Sequence, residues 1–203
     1  MKHNYWSSLW LCGFMFIIFL LQTMPGFTDL FILDSDLVMT RLWTLLTAVF
    51  LHADLAHLLF NLFGLALFGS ILEHVIGTRR FLQLFIAAGI IASLASLPFY
   101  ERVLGASGAI YGVMGCLGIL RPKTQVWLYA VPMPMFVALF VWAGADILGV
   151  FSPGTTANIA HLAGLGFGVI AGFFYRRNFR ENAPKKEKID IDEKKVEDWE
   201  KMF

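Results

Sequence analysis

Seven strongly polar or ionisable side chains interrupt long apolar stretches of this sequence: His57, Asn61, Glu73, His74, Ser107, Asp146 and His161. Such groups are costly inside hydrocarbon and mark function by default. The combination with chemistry in it is Ser107 with His161. A serine hydroxyl is a weak nucleophile until a neighbouring base takes its proton, and a neutral imidazole can do this near physiological pH. The reaction class is acyl transfer, whose tetrahedral intermediate needs fixed donors around its oxyanion. Ser107 follows Gly105-Ala106 and opens an apolar run, so its backbone N–H is expected at the uncovered, positive end of a helix. His57 and Asn61 stand at i and i+4 on one helical face and could add side-chain donors. Asp146 is the sole candidate for a third triad member in the apolar region, but no spacing ties it to His161. A Ser–His dyad is therefore the expected arrangement.

Other hydrolytic chemistries lack parts. A metal site of the protease type needs His-Glu-x-x-His, and Glu73-His74 lacks that spacing. A paired-aspartate site needs two carboxylates sharing a proton, and Asp146 has no such neighbour in the apolar region. No lysine lies within an apolar stretch to act as base. No cofactor and no metal are expected. With a net charge of +1 and its basic residues concentrated in the tail, the chain offers no face for nucleic acid. Cys12 and Cys116 sit in apolar runs and read as buried small hydrophobes.

The elements that must hold these residues follow from composition. Of 203 residues, 58% are hydrophobic and 15% charged, against about 45–50% and about 25% in soluble domains. Residues 176–203 carry nine of the 16 Lys+Arg and eight of the 15 Asp+Glu, which leaves the first 175 almost uncharged. That excludes a soluble globular protein and a disordered chain. Apolar stretches of spanning length fall at 6–24, 55–77, 81–98, 107–120, 125–150 and 158–175. The expected fold is an all-α, six-transmembrane-helix bundle over 1–175, followed by a charged tail, 176–203, that is solvated and partly disordered. The first stretch is long enough to span and no small-residue cleavage site follows it, so it reads as a retained span.

With both termini cytoplasmic, Lys2, Arg79, Arg80, Arg121, Lys123 and the Arg176-Arg177 pair all fall on the inner side, as the positive-inside rule requires. The second, fourth and sixth stretches then enter from outside. At 1.5 Å per residue, His57, Asn61, Ser107 and His161 reach one depth in the outer leaflet. His161, Gly164, Gly168 and Gly172 form a single helical stripe, as do Ser107, Tyr111, Gly115 and Gly118. Glycine stripes let membrane helices approach closely, which would bring Ser107 to His161. The first outside loop, 25–54, contains an apolar segment, Leu42–Leu51, too short to cross as a helix. It is expected at the interface or dipping into the outer leaflet, with Trp43 at headgroup depth.

In combination these residues resemble the rhomboid family of intramembrane serine proteases, in its minimal six-span form, over roughly residues 40–175. Gly105-Ala106-Ser107-Gly108 resembles the family's Gly-x-Ser-Gly nucleophile motif, with Tyr111 at the expected following position. Ala160-His161-Leu162-Ala163-Gly164 with Gly168 resembles the catalytic-histidine helix. His52, His57 and Asn61 match the second helix's histidine pair and His-x-x-x-Asn. Gly69-Ser70-Ile71-Leu72-Glu73 with Gly77 matches Gly-x-x-x-Glu-x-x-x-Gly. The resemblance implies Ser107 as nucleophile, His161 as base and then acid, and an oxyanion hole of His57, Asn61 and the Ser107 amide. It implies that Tyr111 stacks on and orients His161, compensating for a missing carboxylate, and that Tyr111 and Gly105 are supporting residues of the site. Glu73, Gly164 and Gly168 would be structural. His52 reads as a loop or water-cavity histidine, and His74 as an interfacial side chain. One departure is visible: where the family commonly has Trp-Arg, Thr44 follows Trp43 and Arg41 precedes it, which bears on how the loop is anchored.

The expected function is an intramembrane serine endopeptidase in the cell membrane, acting on transmembrane segments of protein substrates near the extracytoplasmic face. The competing reading is a catalytically inactive rhomboid-like binding or chaperone protein. A solute channel would need a polar pathway through both leaflets, and here the polar cluster stops in the outer half.

Overall fold

The computed structural model describes residues 6–128, 131–152 and 156–181. Helix α1 (Ser7–Leu21) is followed by the short α2 (Phe27–Phe31), strand β1 (Leu33–Asp34) and α3 (Thr44–Thr47), which tightens into a 3-10 turn at Ala48–Phe50. Next come α4 (Leu55–Gly64), a π-helical segment Leu65–Gly69 and α5 (Ser70–Ile76), stacked as one continuous rod. Gly77, at φ +83°, turns the chain into α6 (Thr78–Ser96). Strand β2 (Arg102–Val103), α7 (Ser107–Leu120), strands β3 (Gln125–Leu128) and β4 (Val131–Pro134), α8 (Met135–Val150) and α9 (Asn158–Glu181) complete the order.

Among the described residues three helices are long and apolar enough to cross a membrane: Leu55–Ile76, Thr78–Ser96 and Asn158–Arg177. Three more are apolar but shorter: Ser7–Leu21, Ser107–Leu120 and Met135–Val150. The expected stretch at 125–150 needs correcting. Gln125–Leu128 and Val131–Pro134 pair as antiparallel strands, β3 with β4, and the helix starts only at Met135. Pro132 and Pro134 explain this, since each lacks an amide donor and pushes the residue before it toward extended backbone. At the other end α9 runs through Arg176 and Arg177 to Glu181, so the first residues of the expected tail are helical. The rest of that tail, 182–203, lies outside the described residues.

Helix α7 is the axis of the bundle, with ten of its fourteen residues buried. It packs on α6, where Gly108 and Gly112 face Ala92 and Ala88, and most closely on α9. A Cβ on Gly164 would run into the Gly108 carbonyl, and one on Gly168 into that of Gly112. Backbone therefore lies against backbone along this seam. Outward, Trp10, Phe60, Phe140, Leu148 and Ile170 are exposed, an apolar surface that suits hydrocarbon.

The loop ahead of α4 is fastened at several points. Strands β1 and β2 pair, a small core of Leu33, Val38 and Ala48 lies beneath, and Thr47 Oγ1 donates to the Phe31 carbonyl at 2.8 Å. Arg41 donates to the Asp29 carbonyl at 3.0 Å, and Arg102 pairs with the Asp29 carboxylate. Trp43 donates its indole N–H to the Leu30 carbonyl at 3.2 Å. The arginine before Trp43 thus supplies an anchor even though Thr44, not arginine, follows.

Candidate active site

Ser107 is the first residue of α7, and first-turn amides have no acceptor within their own helix. The turn before it needs Gly105, whose φ is +121°, and the Gly105 amide donates to the Ala48 carbonyl at 2.9 Å. The 3-10 turn of the loop is therefore bonded to the turn that presents the serine. His161 stands one turn into α9, whose start is steadied by the Ile159 amide donating to the Tyr100 hydroxyl at 3.3 Å. The seam described above brings the two together: Ser107 Oγ lies 2.7 Å from His161 Nε2. Tyr111, one turn below the serine, stacks on the imidazole at 4.4 Å between ring centroids and 15° between planes.

The opposite ring nitrogen is also engaged. His161 Nδ1 lies 2.9 Å from Asp146 Oδ1 on α8. This corrects the expectation that nothing ties Asp146 to His161, and with it the idea that Tyr111 stands in for an absent carboxylate. The sequence could not show the contact. Asp146 and His161 are on different helices, and the face α8 turns toward α9 depends on the connection between them.

His57 is set by an N-cap. Asp54 caps α4 by accepting the His57 backbone N–H at 2.8 Å. The Ala53 amide donates to His57 Nδ1 at 3.3 Å, so the neutral ring carries its proton on Nε2. That edge faces the serine turn: a Cβ on Gly105 would lie 2.6 Å from His57 Cε1 and 2.8 Å from Nε2. Asn61 is buried, and one N–H of its amide donates to the His57 carbonyl at 2.8 Å, leaving the second for a ligand.

Residues 39–178 match the sequence model of the Rhomboid domain. The chain belongs to the rhomboid family. It is 31% identical over 70% of its length to Rhomboid protein 1, mitochondrial, of Saccharomyces cerevisiae. It is 36% identical over 65% of its length to Rhomboid protease GluP of Bacillus subtilis, and 28% identical over 66% to Rhomboid protease GlpG of Haemophilus influenzae. The chain spans 44%, 25% and 70% of those relatives' own lengths. Family and apolar helices together make it a multi-pass membrane protein.

The other site candidates of this rhomboid domain lie apart from the serine. Glu73 is fully buried at the far end of the α4–α5 rod. Its carboxylate accepts the Ser7 and Ser8 amides at 3.1 Å each and the Thr78 hydroxyl at 2.7 Å. It thereby joins α1, α5 and α6 through charge-assisted bonds to an open helix N-terminus. His74 is exposed, its Nδ1 bonded to the Ser70 carbonyl at 2.7 Å. His52 is buried in the loop, neither ring nitrogen meeting a hydrogen-bond partner among the described residues, and its ring meets that of His57 edge-on at 5.2 Å. Burial holds the His52 imidazole down at about 4, and the neighbouring His57 adds to the effect. Gln22 escaped sequence reading altogether. Its amide grips the His52 backbone from both sides, donating to the carbonyl at 3.0 Å and accepting the N–H at 2.9 Å. Among the described residues no three His, Cys, Asp or Glu side chains gather as a metal site.

Proposed function

We propose that this rhomboid chain is an intramembrane serine endopeptidase that cuts transmembrane segments of other membrane proteins. The 2.7 Å contact between Ser107 Oγ and His161 Nε2 carries the reading, because it couples a nucleophile to a base before any substrate arrives. In the first half-reaction the Ser107 oxygen adds to the scissile carbonyl while its proton passes to His161 Nε2. The oxyanion is met by the Ser107 amide, His57 Nε2–H and the second N–H of Asn61. His161 then gives the proton to the leaving amine, and the C–N bond breaks to leave an acyl-serine. Water then adds to the acyl carbon, losing a proton to His161; the carbon–Oγ bond breaks, His161 returns that proton to Ser107 Oγ, and the carboxylic acid product leaves.

Six membrane crossings with both termini inside fit the basic residues, and they put the site toward the extracytoplasmic leaflet. At fourteen residues α7 is about 21 Å long, short of a hydrocarbon core of about 30 Å. With Arg121 at the inner face, Ser107 then lies below the outer surface. Helix carbonyls in a substrate are already hydrogen-bonded, so the cut segment must unwind first. Substrates with helix-breaking residues should be cut faster than an unbroken poly-leucine span.

The deciding experiment places the protein in lipid vesicles with a fluorophosphonate probe and maps the adduct by mass. Labelling of Ser107 in the wild type, absent from Ser107→Ala and His161→Ala, is the expected result. A folded wild type that takes no label would turn the reading to a helix-binding protein without catalysis.

A further inference from the structure

Asp146 reaches His161 from a third helix, and the reaction written above does not use it. Its Oδ1 meets Nδ1, the ring nitrogen turned away from Ser107. The two side chains are only 6% and 12% exposed, and Asp146 Oδ2 is buried without a partner among the described residues. A carboxylate so placed is costly to bury, and the histidine is the contact it makes. Resting on the proteolytic reading of the Ser107–His161 pair, we propose that Asp146 is a positioning residue that fixes the tautomer and in-plane orientation of His161.

A neutral imidazole has one N–H. If that proton sits on Nε2, the ring cannot accept the serine proton at all. A carboxylate can only accept, so Asp146 draws the proton to Nδ1 and leaves the Nε2 lone pair for the hydroxyl. Stacking on Tyr111 fixes the plane of the ring but discriminates neither tautomer nor rotation within that plane. Asp146 supplies what the stack leaves open. When the serine proton moves to Nε2, the ring carries an N–H on each nitrogen and one positive charge. Asp146 remains a carboxylate beside it, and the Nε2 proton leaves with the amine.

The test compares wild type with Asp146→Asn in vesicles, using a cleavable transmembrane substrate and 15N-labelled histidine. The amide has the same shape and can turn its NH2 toward Nδ1, which favours the wrong tautomer. We expect kcat to fall by at least about tenfold while KM stays within about twofold, with an unchanged unfolding midpoint. The 15N spectrum should show the His161 proton on Nδ1 in the wild type and on Nε2 in a growing fraction of the variant. Unchanged kcat with a lowered midpoint would reduce Asp146 to a pin between α8 and α9 and overturn the proposal. Should the variant fail to fold, the wild-type spectrum decides, because a neutral His161 protonated on Nε2 contradicts the assignment. A wild type that neither cleaves nor labels defeats the proteolytic reading. The tautomer comparison would still say whether Asp146 directs the ring.

Discussion

His161 is gripped from two sides that are built in opposite ways. Toward α7 the contact is glycine on glycine, and ten of fourteen α7 residues are buried. Toward α8 only Met135, Ala138 and Asp146 of sixteen residues are buried, while Phe140, Ile147 and Leu148 face outward. The α7 side has no room to adjust. The α8 side holds the histidine through the Asp146 carboxylate, a full turn before the end of an otherwise lightly packed helix. The contrast separates two requirements. Nucleophile and base must keep a fixed distance, which close backbone packing enforces. The base must also hold its orientation, which a single hydrogen bond can serve.

The sharpest way to break that contrast is to make one kind of change on both sides. Gly168→Val would force the α9 backbone off the Gly112 carbonyl and should destabilise by about 3 kcal/mol or more, with loss of cleavage. Gly144→Ala on α8 meets nothing within 4 Å and should be neutral, or stabilising by up to about 1 kcal/mol from helix propensity. Thermal unfolding in detergent reads both, and equal losses would erase the distinction. Next in size, Glu73→Ala leaves the half-buried Ser7 amide and the buried Ser8 amide unmet and should cost about 2–3 kcal/mol. Because Glu73 is remote from the serine, kcat of the folded fraction should hold. A selective fall in kcat would show that the far end of the rod reaches the site.

Gly105→Ala probes the site's own turn. A methyl group at φ +121° would meet the His57 ring, so the variant should lose about 1–2 kcal/mol of stability. The rate should fall at least about tenfold as one oxyanion donor shifts. Wild-type kinetics in this variant would remove His57 from the hole. The smallest effect concerns His52. Its folded imidazole titrates at about 4 against an ordinary 6.5, so between those values the unfolded chain binds a proton that the folded chain refuses. Stability contributed here is present above pH 6.5 and is lost as pH falls toward 4. His52→Leu should flatten that part of the stability profile, and identical slopes for variant and wild type would rule the assignment out.

The elements that were legible in the sequence share a cause. Apolar length, basic pairs and glycine stripes are one-dimensional patterns, so the helices carrying His57, Ser107 and His161 could be read directly, as could the face of α9 that meets α7. The pairing of Gln125–Leu128 with Val131–Pro134 was hidden because these residues are as apolar as a span, although Pro132 and Pro134 carried the signal. Asp146 was visible as an anomaly but not as a neighbour of His161. Gln22 had no signal at all, since a glutamine at the end of an apolar helix is unremarkable until the His52 backbone is seen against it.

The glycine seam behaves as a dovetail joint. Its mating surfaces are main chain, which is the same whatever the side chains, so substitution can jam the joint but cannot retune it. Variation in rate or selectivity that leaves the fold intact must therefore enter from the other parts that touch the site: the serine turn and the loop bonded to it, the first turns of α4, and α8. A library confined to those segments would sample activity, whereas one spread over α7 and α9 would chiefly sample failure to assemble.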